Sequence, residues 1–122
     1  MDHILIIDGR YDICDLLQKC LAPLGYEVKG AHDGEEAIEL FNNGYNFTLV
    51  ITDTKMPKIS ANAVAKHIRG SDNSGTPIVA ITGPGDDEID HELFNFILMK
   101  PFMLKTLLKV IRLVTKNHFT LS

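Results

Sequence analysis

The chain reads as a doubly wound α/β domain, a parallel sheet with helices on both faces. Three observations lead there. Short runs rich in Ile, Val, Leu and Phe recur five times, the stretches between them carry helical apolar spacing, and Gly, Pro or polar clusters mark the changeovers. Parallel neighbours need a crossover connection and helices supply it, so the alternation implies the sheet and both helical layers together. At 122 residues, 45 % hydrophobic and 23 % charged, the chain has the size of one domain and enough apolar material for a core.

The strand candidates are residues 3–8, 26–31, 47–53, 77–82 and 96–99. Between the first two, Ile13, Leu16, Leu17, Cys20, Leu21 and Leu24 follow the i, i+3, i+4, i+7 rule, and Pro23 with Gly25 marks the stop. A second helix starts at Asp33, three residues before Glu36 in the manner of a capping box, and carries Ala37, Ile38 and Phe41 on one face. Ser60 begins a third, with Ala61, Val64, Ala65 and Ile68 inward and Gly70 at the C-cap. The stretch GPGDDEIDHELFN has room for about two turns and only Ile89, Leu93 and Phe94 to bury, so the fourth helix is expected to be short. Leu104, Leu107, Leu108 and Ile111 define the last helix. Val110 and Leu113 extend its apolar surface, either into the core or as a dimer face. Repeats, low-complexity segments and linkers are absent, and residues 1–122 read as a single domain.

Composition narrows the function classes. The formal charge of −4 argues against direct nucleic-acid contact, which usually takes a basic stripe. No apolar run approaches the ~18 residues of a membrane span and no basic, hydrophobic leader opens the chain, so the expected location is cytoplasmic. Cys14 and Cys20, six residues apart on one helix, would stand roughly 9 Å apart on different faces, too far for a disulfide. His3, His32, His67, His91 and His118 lack ligand spacing and read as surface residues.

In a doubly wound sheet, ligands bind at the carboxyl ends of the strands. There the sequence places Asp8, Asp53, Thr82 and Lys100, the last followed by Pro101. Taken singly, each has an ordinary reading as a turn cap or solvated group. Together, two acids suit a hard cation such as Mg²⁺, and a hydroxyl and an ammonium suit phosphoryl oxygens. A nucleophilic carboxylate among these groups makes a complete aspartyl-phosphate site.

At ILIID, AHDGEEAIEL, LVITDTKMP, IVAITG and KPF, in order along nearly the whole length, the chain resembles the receiver domain of two-component response regulators. The resemblance implies a flavodoxin-like (βα)5 fold with strand order 2-1-3-4-5. It implies that Asp53 accepts a phosphoryl group from a sensor histidine kinase or phosphotransfer protein, with Thr82 and Lys100 attending the phosphoryl oxygens. Mg²⁺ would be held by Asp8, Asp53 and the carbonyl of Lys55, and an output protein or domain would read the change. The domain would catalyse only its own phosphoryl transfer and dephosphorylation.

The chain departs from the family pattern in three places. Gly9 stands where a second acid usually ligates the metal, so Mg²⁺ is expected to bind weakly, and Arg10 beside it either reaches towards Asp8 or Asp53 or points into solvent. Ile97 occupies the position of the usual switching aromatic, and neighbouring Phe96 should face the other way. The interval from Thr82 to Lys100 is short, which shortens the fourth helix, and because Ile97 offers no ring to switch, the response is expected in the loop 82–85 and the short helix after it. Gly9 keeps open a second reading, a pseudo-receiver acting as a phosphorylation-independent interaction module. A haloacid-dehalogenase-like phosphatase would need an Asp two residues beyond Asp53, where Lys55 stands.

Overall fold

The computed structural model describes residues 2–8, 11–56, 59–85 and 88–120. The expectations for Gly9 and Arg10 therefore lie outside the described residues. Strands β1 (Asp2–Ile7), β2 (Tyr26–Ala31), β3 (Leu49–Asp53), β4 (Ile78–Thr82) and β5 (Phe96–Met99) form one parallel sheet in the order β2-β1-β3-β4-β5. The helices are α1 (Tyr11–Leu21), α2 (Gly34–Asn42), α3 (Ala61–Arg69) and α4 (Leu104–Thr120). None of them is long and apolar enough to cross a membrane, among the described residues.

Side chains alternate across the sheet, so each strand feeds two cores. Ile4, Ile6, Leu49, Ile51, Val79 and Ile81 pack with Leu17 and Leu21 of α1 and with Leu107, Val110 and Ile111 of α4. On the other face, Leu5, Ile7, Val50 and Ala80 meet Ala37 and Phe41 of α2 and Val64, Ala65 and Ile68 of α3. Val110 is thus core, whereas Leu113 is 58 % exposed and does not join it.

Helix ends follow local chemistry. Asp33 Oδ1 accepts the Glu36 N–H at 2.9 Å, and Glu36 reaches back one residue beyond the cap, its Oε2 accepting the His32 N–H at 3.1 Å. Ser60 Oγ accepts the Ala63 N–H at 3.1 Å. At Gly34 the chain passes so close to α3 that a Cβ would stand 2.6 Å from Val64 Cγ2 and 3.2 Å from the Ile59 carbonyl oxygen, so only glycine fits unshifted.

Two expectations need correction. The first helix stops at Leu21, and a 3-10 turn, Ala22–Leu24, leads to Gly25 at φ 92°, because Pro23 offers no N–H to continue the helical ladder. That turn points Leu24 outward, 66 % exposed, and Leu16 is also exposed, so neither belongs to the buried stripe. The fourth of five expected helices is absent, and between β4 and β5 the described residues make only the 3-10 turn His91–Leu93.

The reason lies in α3. Asn62 clasps the segment with both ends of its amide, Nδ2 donating to the Glu88 carbonyl and Oδ1 accepting the Asp90 N–H at 3.0 Å. Arg69 donates through Nε and Nη2 to the Leu93 carbonyl at 3.2 and 3.0 Å, and through Nη2 to Asn95 Oδ1 at 2.7 Å. Its Nη1 reaches the Ser74 and Thr76 carbonyls. Ile89, Leu93 and Phe94 already pack on the α2/α3 core from this conformation. Backbone groups that a helix would satisfy internally are bonded to α3 instead, and so short a helix would have little stability of its own.

Candidate functional site

Strand register carries the polar residues to one rim. Asp53 ends β3, and Asp8 directly follows Ile7, whose partner on β3 is Thr52, so the two carboxylates stand at adjacent strand ends. Each is 8 % exposed. Asp8 is fixed by its own N–H, which donates to the Ala31 carbonyl at 3.0 Å. Thr54 locks the turn after Asp53 by donating its N–H and its hydroxyl to the Ile81 carbonyl, at 3.0 and 3.3 Å.

Both oxygens of Asp53 are engaged. The Lys55 N–H donates to Oδ1 at 3.1 Å, and Lys100 Nζ lies 3.0 Å from Oδ2. The Lys100 ammonium is a third exposed and the carboxylate a tenth, so this is a partly desolvated ion pair at the mouth of the rim. Lys100 is positioned by its own N–H, which donates to the Thr82 carbonyl at 2.7 Å, and the peptide that follows it, to Pro101, is cis. Thr82 is buried at the end of β4, and among the described residues its hydroxyl has only a 3.5 Å contact with the Gly83 carbonyl, which restrains it little.

The residues singled out by sequence, Asp8, Asp53, Thr82, Lys100 and the Lys55 backbone, are therefore brought together. Thr54 and Ala31 were missed. A polar residue directly after a strand-ending acid was the available signal for Thr54, whereas Ala31 acts through a carbonyl that any residue would supply. The Ile97 side chain packs into the α2/α3 core and Phe96 remains substantially exposed, the opposed orientation expected of strand neighbours.

Two nearly buried carboxylates suit a hard divalent ion that retains several waters, and among the described residues no cluster of three His, Cys, Asp or Glu is built to hold a metal. The chemistry of the Asp8 and Asp53 carboxylates fits Mg²⁺. Thiol chemistry is disfavoured nearby: burial pushes the Cys14 thiol up from its ordinary range, with the negative charges of Asp15 and Asp8 adding to it. Cys14 and Cys20 are both free.

The response regulator receiver domain model matches residues 4–112. This chain belongs to that family. It is 37 % identical over 120 residues to the probable transcriptional regulator ycf27 of Guillardia theta, covering 95 % of this chain and 46 % of that protein. It is 31 % identical over 122 residues to the transcriptional regulatory protein CpxR homolog of Haemophilus influenzae, covering 96 % and 52 %. The chain thus spans about half the length of these relatives. Among solved structures, a response regulator receiver domain protein from Clostridium thermocellum aligns over 100 % of both chains with a TM-score of 0.85 at 27 % identity. The response regulator TrrA from Thermotoga maritima, in complex with Mg²⁺-BeF, aligns at 0.76 and 30 % identity over 93 % of this chain and 99 % of that one.

The chain is a receiver domain of two-component signalling, with five parallel strands in the order 2-1-3-4-5 of a flavodoxin-like fold. Receiver domains are signalling modules rather than classical enzymes. They interact with histidine kinases or phosphotransfer proteins and generally bind Mg²⁺ at an acidic pocket.

Proposed function

We propose that residues 1–122 form one phosphorylatable receiver in which Asp53 is the phosphoacceptor. The observation that carries this reading is the pairing of a nearly buried strand-end carboxylate with Lys100 Nζ at 3.0 Å, beside Thr82 on the neighbouring strand. In the transfer, a carboxylate oxygen of Asp53 forms a bond to phosphorus while the bond from phosphorus to the donor's imidazole nitrogen breaks. The imidazole leaves with that electron pair and picks up a proton. Lys100 faces negative charge that spreads over the phosphoryl oxygens in the transition state, and the Lys55 N–H holds the carboxylate in one orientation. Thr82 is free to turn its hydroxyl towards the new group. Asp8, Asp53 and the Lys55 carbonyl are the residues that would hold Mg²⁺, which when bound neutralises phosphoryl charge. The test is incubation with acetyl phosphate, with and without Mg²⁺. One phosphate should be added per chain as a base-labile acyl phosphate, and failure at saturating Mg²⁺ overturns the proposal.

Gly9 favours a second reading, a pseudo-receiver that binds partners without phosphorylation. One fewer carboxylate would remove one charge-assisted contact to a bound ion, which tolerates water in its place. Gly9→Asp is therefore expected to tighten Mg²⁺ binding about tenfold and to lower the Mg²⁺ needed for labelling by a similar factor. Calorimetric titration of both proteins checks this. Equal affinities would show that Gly9 is no deficit, and no binding by the natural chain at millimolar Mg²⁺ would favour the pseudo-receiver.

The partner that donates the phosphoryl group is read as a histidine kinase or phosphotransfer protein. The relatives' names make transcriptional control the natural output of the longer proteins to which they refer. The acidic balance of this chain argues against a nucleic-acid contact within residues 1–122.

A further inference from the structure

An open groove of about 700 Å³ runs between α4 and the end of α1, remote in function from the acidic rim. Its floor and far wall are apolar: Leu104, Leu108 and Ile111 from α4, facing Leu21, Leu24 and Tyr26. The wall is held in place, since the Tyr26 hydroxyl lies 3.2 Å from Thr115 Oγ1 on α4. Leu24 is two-thirds exposed here because the 3-10 turn after α1 swings it out of the core.

Along the near lip stand Lys105, Lys109 and Arg112, all exposed. At i, i+4 and i+7 they form one row about 10 Å long on a single helical face. Among the described residues no acid lines the groove, although the whole chain carries a formal charge of −4. Among the described residues, none of the three cations makes a hydrogen bond or ion pair.

We propose that this groove docks an amphipathic helix of a partner protein, with leucine-like side chains on the floor and a flanking row of acidic residues against the three cations. The distribution of charge selects this occupant. A fatty-acid-like molecule presents one anionic head and would need one cationic end, whereas here the positive charge is spread over two helical turns beside a continuous apolar floor. A helix repeats both features at the same pitch, and helix-in-groove recognition reads anchors at that spacing.

The test uses the unphosphorylated full chain, so it does not depend on the phosphoacceptor assignment. The probe is a synthetic helical peptide with leucines on one face and a flanking row of glutamates, and its control carries lysines in place of the glutamates. The acidic peptide is expected to bind with Kd below about 1 mM and to shift the amides of Leu24, Tyr26 and Leu108, more weakly as salt is raised. The control should not bind. Joint replacement K105E, K109E and R112E should weaken binding about tenfold or more, and Leu24→Asp, at a site already exposed, should weaken it without unfolding the chain. Equal binding of both peptides, no binding below 1 mM, or undiminished binding by the triple variant overturns the proposal. So does preferential occupation of the groove by oleate or by a second copy of the chain.

Discussion

Asp53→Asn is expected to abolish phosphate incorporation from acetyl phosphate while the chain remains folded. The amide that replaces the carboxylate is a poor nucleophile, and the Lys55 N–H can still donate to the remaining oxygen, so the turn after β3 keeps its hydrogen bond. Lys100 loses its ion-pair partner, but a third of its side chain already meets water, which limits the penalty for the unpaired ammonium. Mass spectrometry of the labelled variant, with circular dichroism to check the fold, decides the matter. Undiminished labelling would sink the assignment of Asp53, and a base-labile adduct found on Asp8 would move it across to β1.

Lys100→Ala is expected to slow labelling of Asp53 about 100-fold or more, the usual scale for deleting one preorganised charge or donor from a transition state stabilised by electrostatics. The same change removes the ammonium that occupies Asp53 Oδ2 in the resting chain, so Mg²⁺ affinity should hold or rise while the rate falls. That opposition is diagnostic. A slower rate accompanied by lost Mg²⁺ binding would mean that the variant had disturbed the rim as a whole, and a loss of less than tenfold would leave Lys100 as a structural partner only.

The rim was legible in sequence because parallel strands in register deliver their last residues to the same edge. Once the runs ending at Asp8, Asp53, Thr82 and Lys100 were recognised as strands, their proximity followed from topology. Asp33 and Ser60 were legible for a different reason, since a cap bonds its own helix two or three residues away and the pattern is local. The conformation of 88–95 was not legible. It is decided by Asn62 and Arg69, some 25 residues upstream, and what they grasp is mostly main-chain oxygen, which leaves no mark on side-chain identity. Leu24 misled because its spacing continued the helical stripe while Pro23, one residue earlier, had already changed the geometry that spacing assumes.

Among the described residues Arg69 meets only neutral acceptors: three main-chain carbonyls and one side-chain amide oxygen. There is no carboxylate in the cluster to protonate and no opposite charge for salt to screen, so its grip should vary little with pH or ionic strength across the range in which the fold survives. With Asn62 gripping the other end, residues 88–95 are expected to open only together with α3. Its protected amides, such as that of Asn95 bonded to the Ile78 carbonyl, should exchange with solvent deuterium at the same opening free energy as those of α3. Native-state exchange that released 88–95 well before α3 would show the two to be independent. Exchange in step would make them a single cooperative unit, joined by the side chains of Asn62 and Arg69.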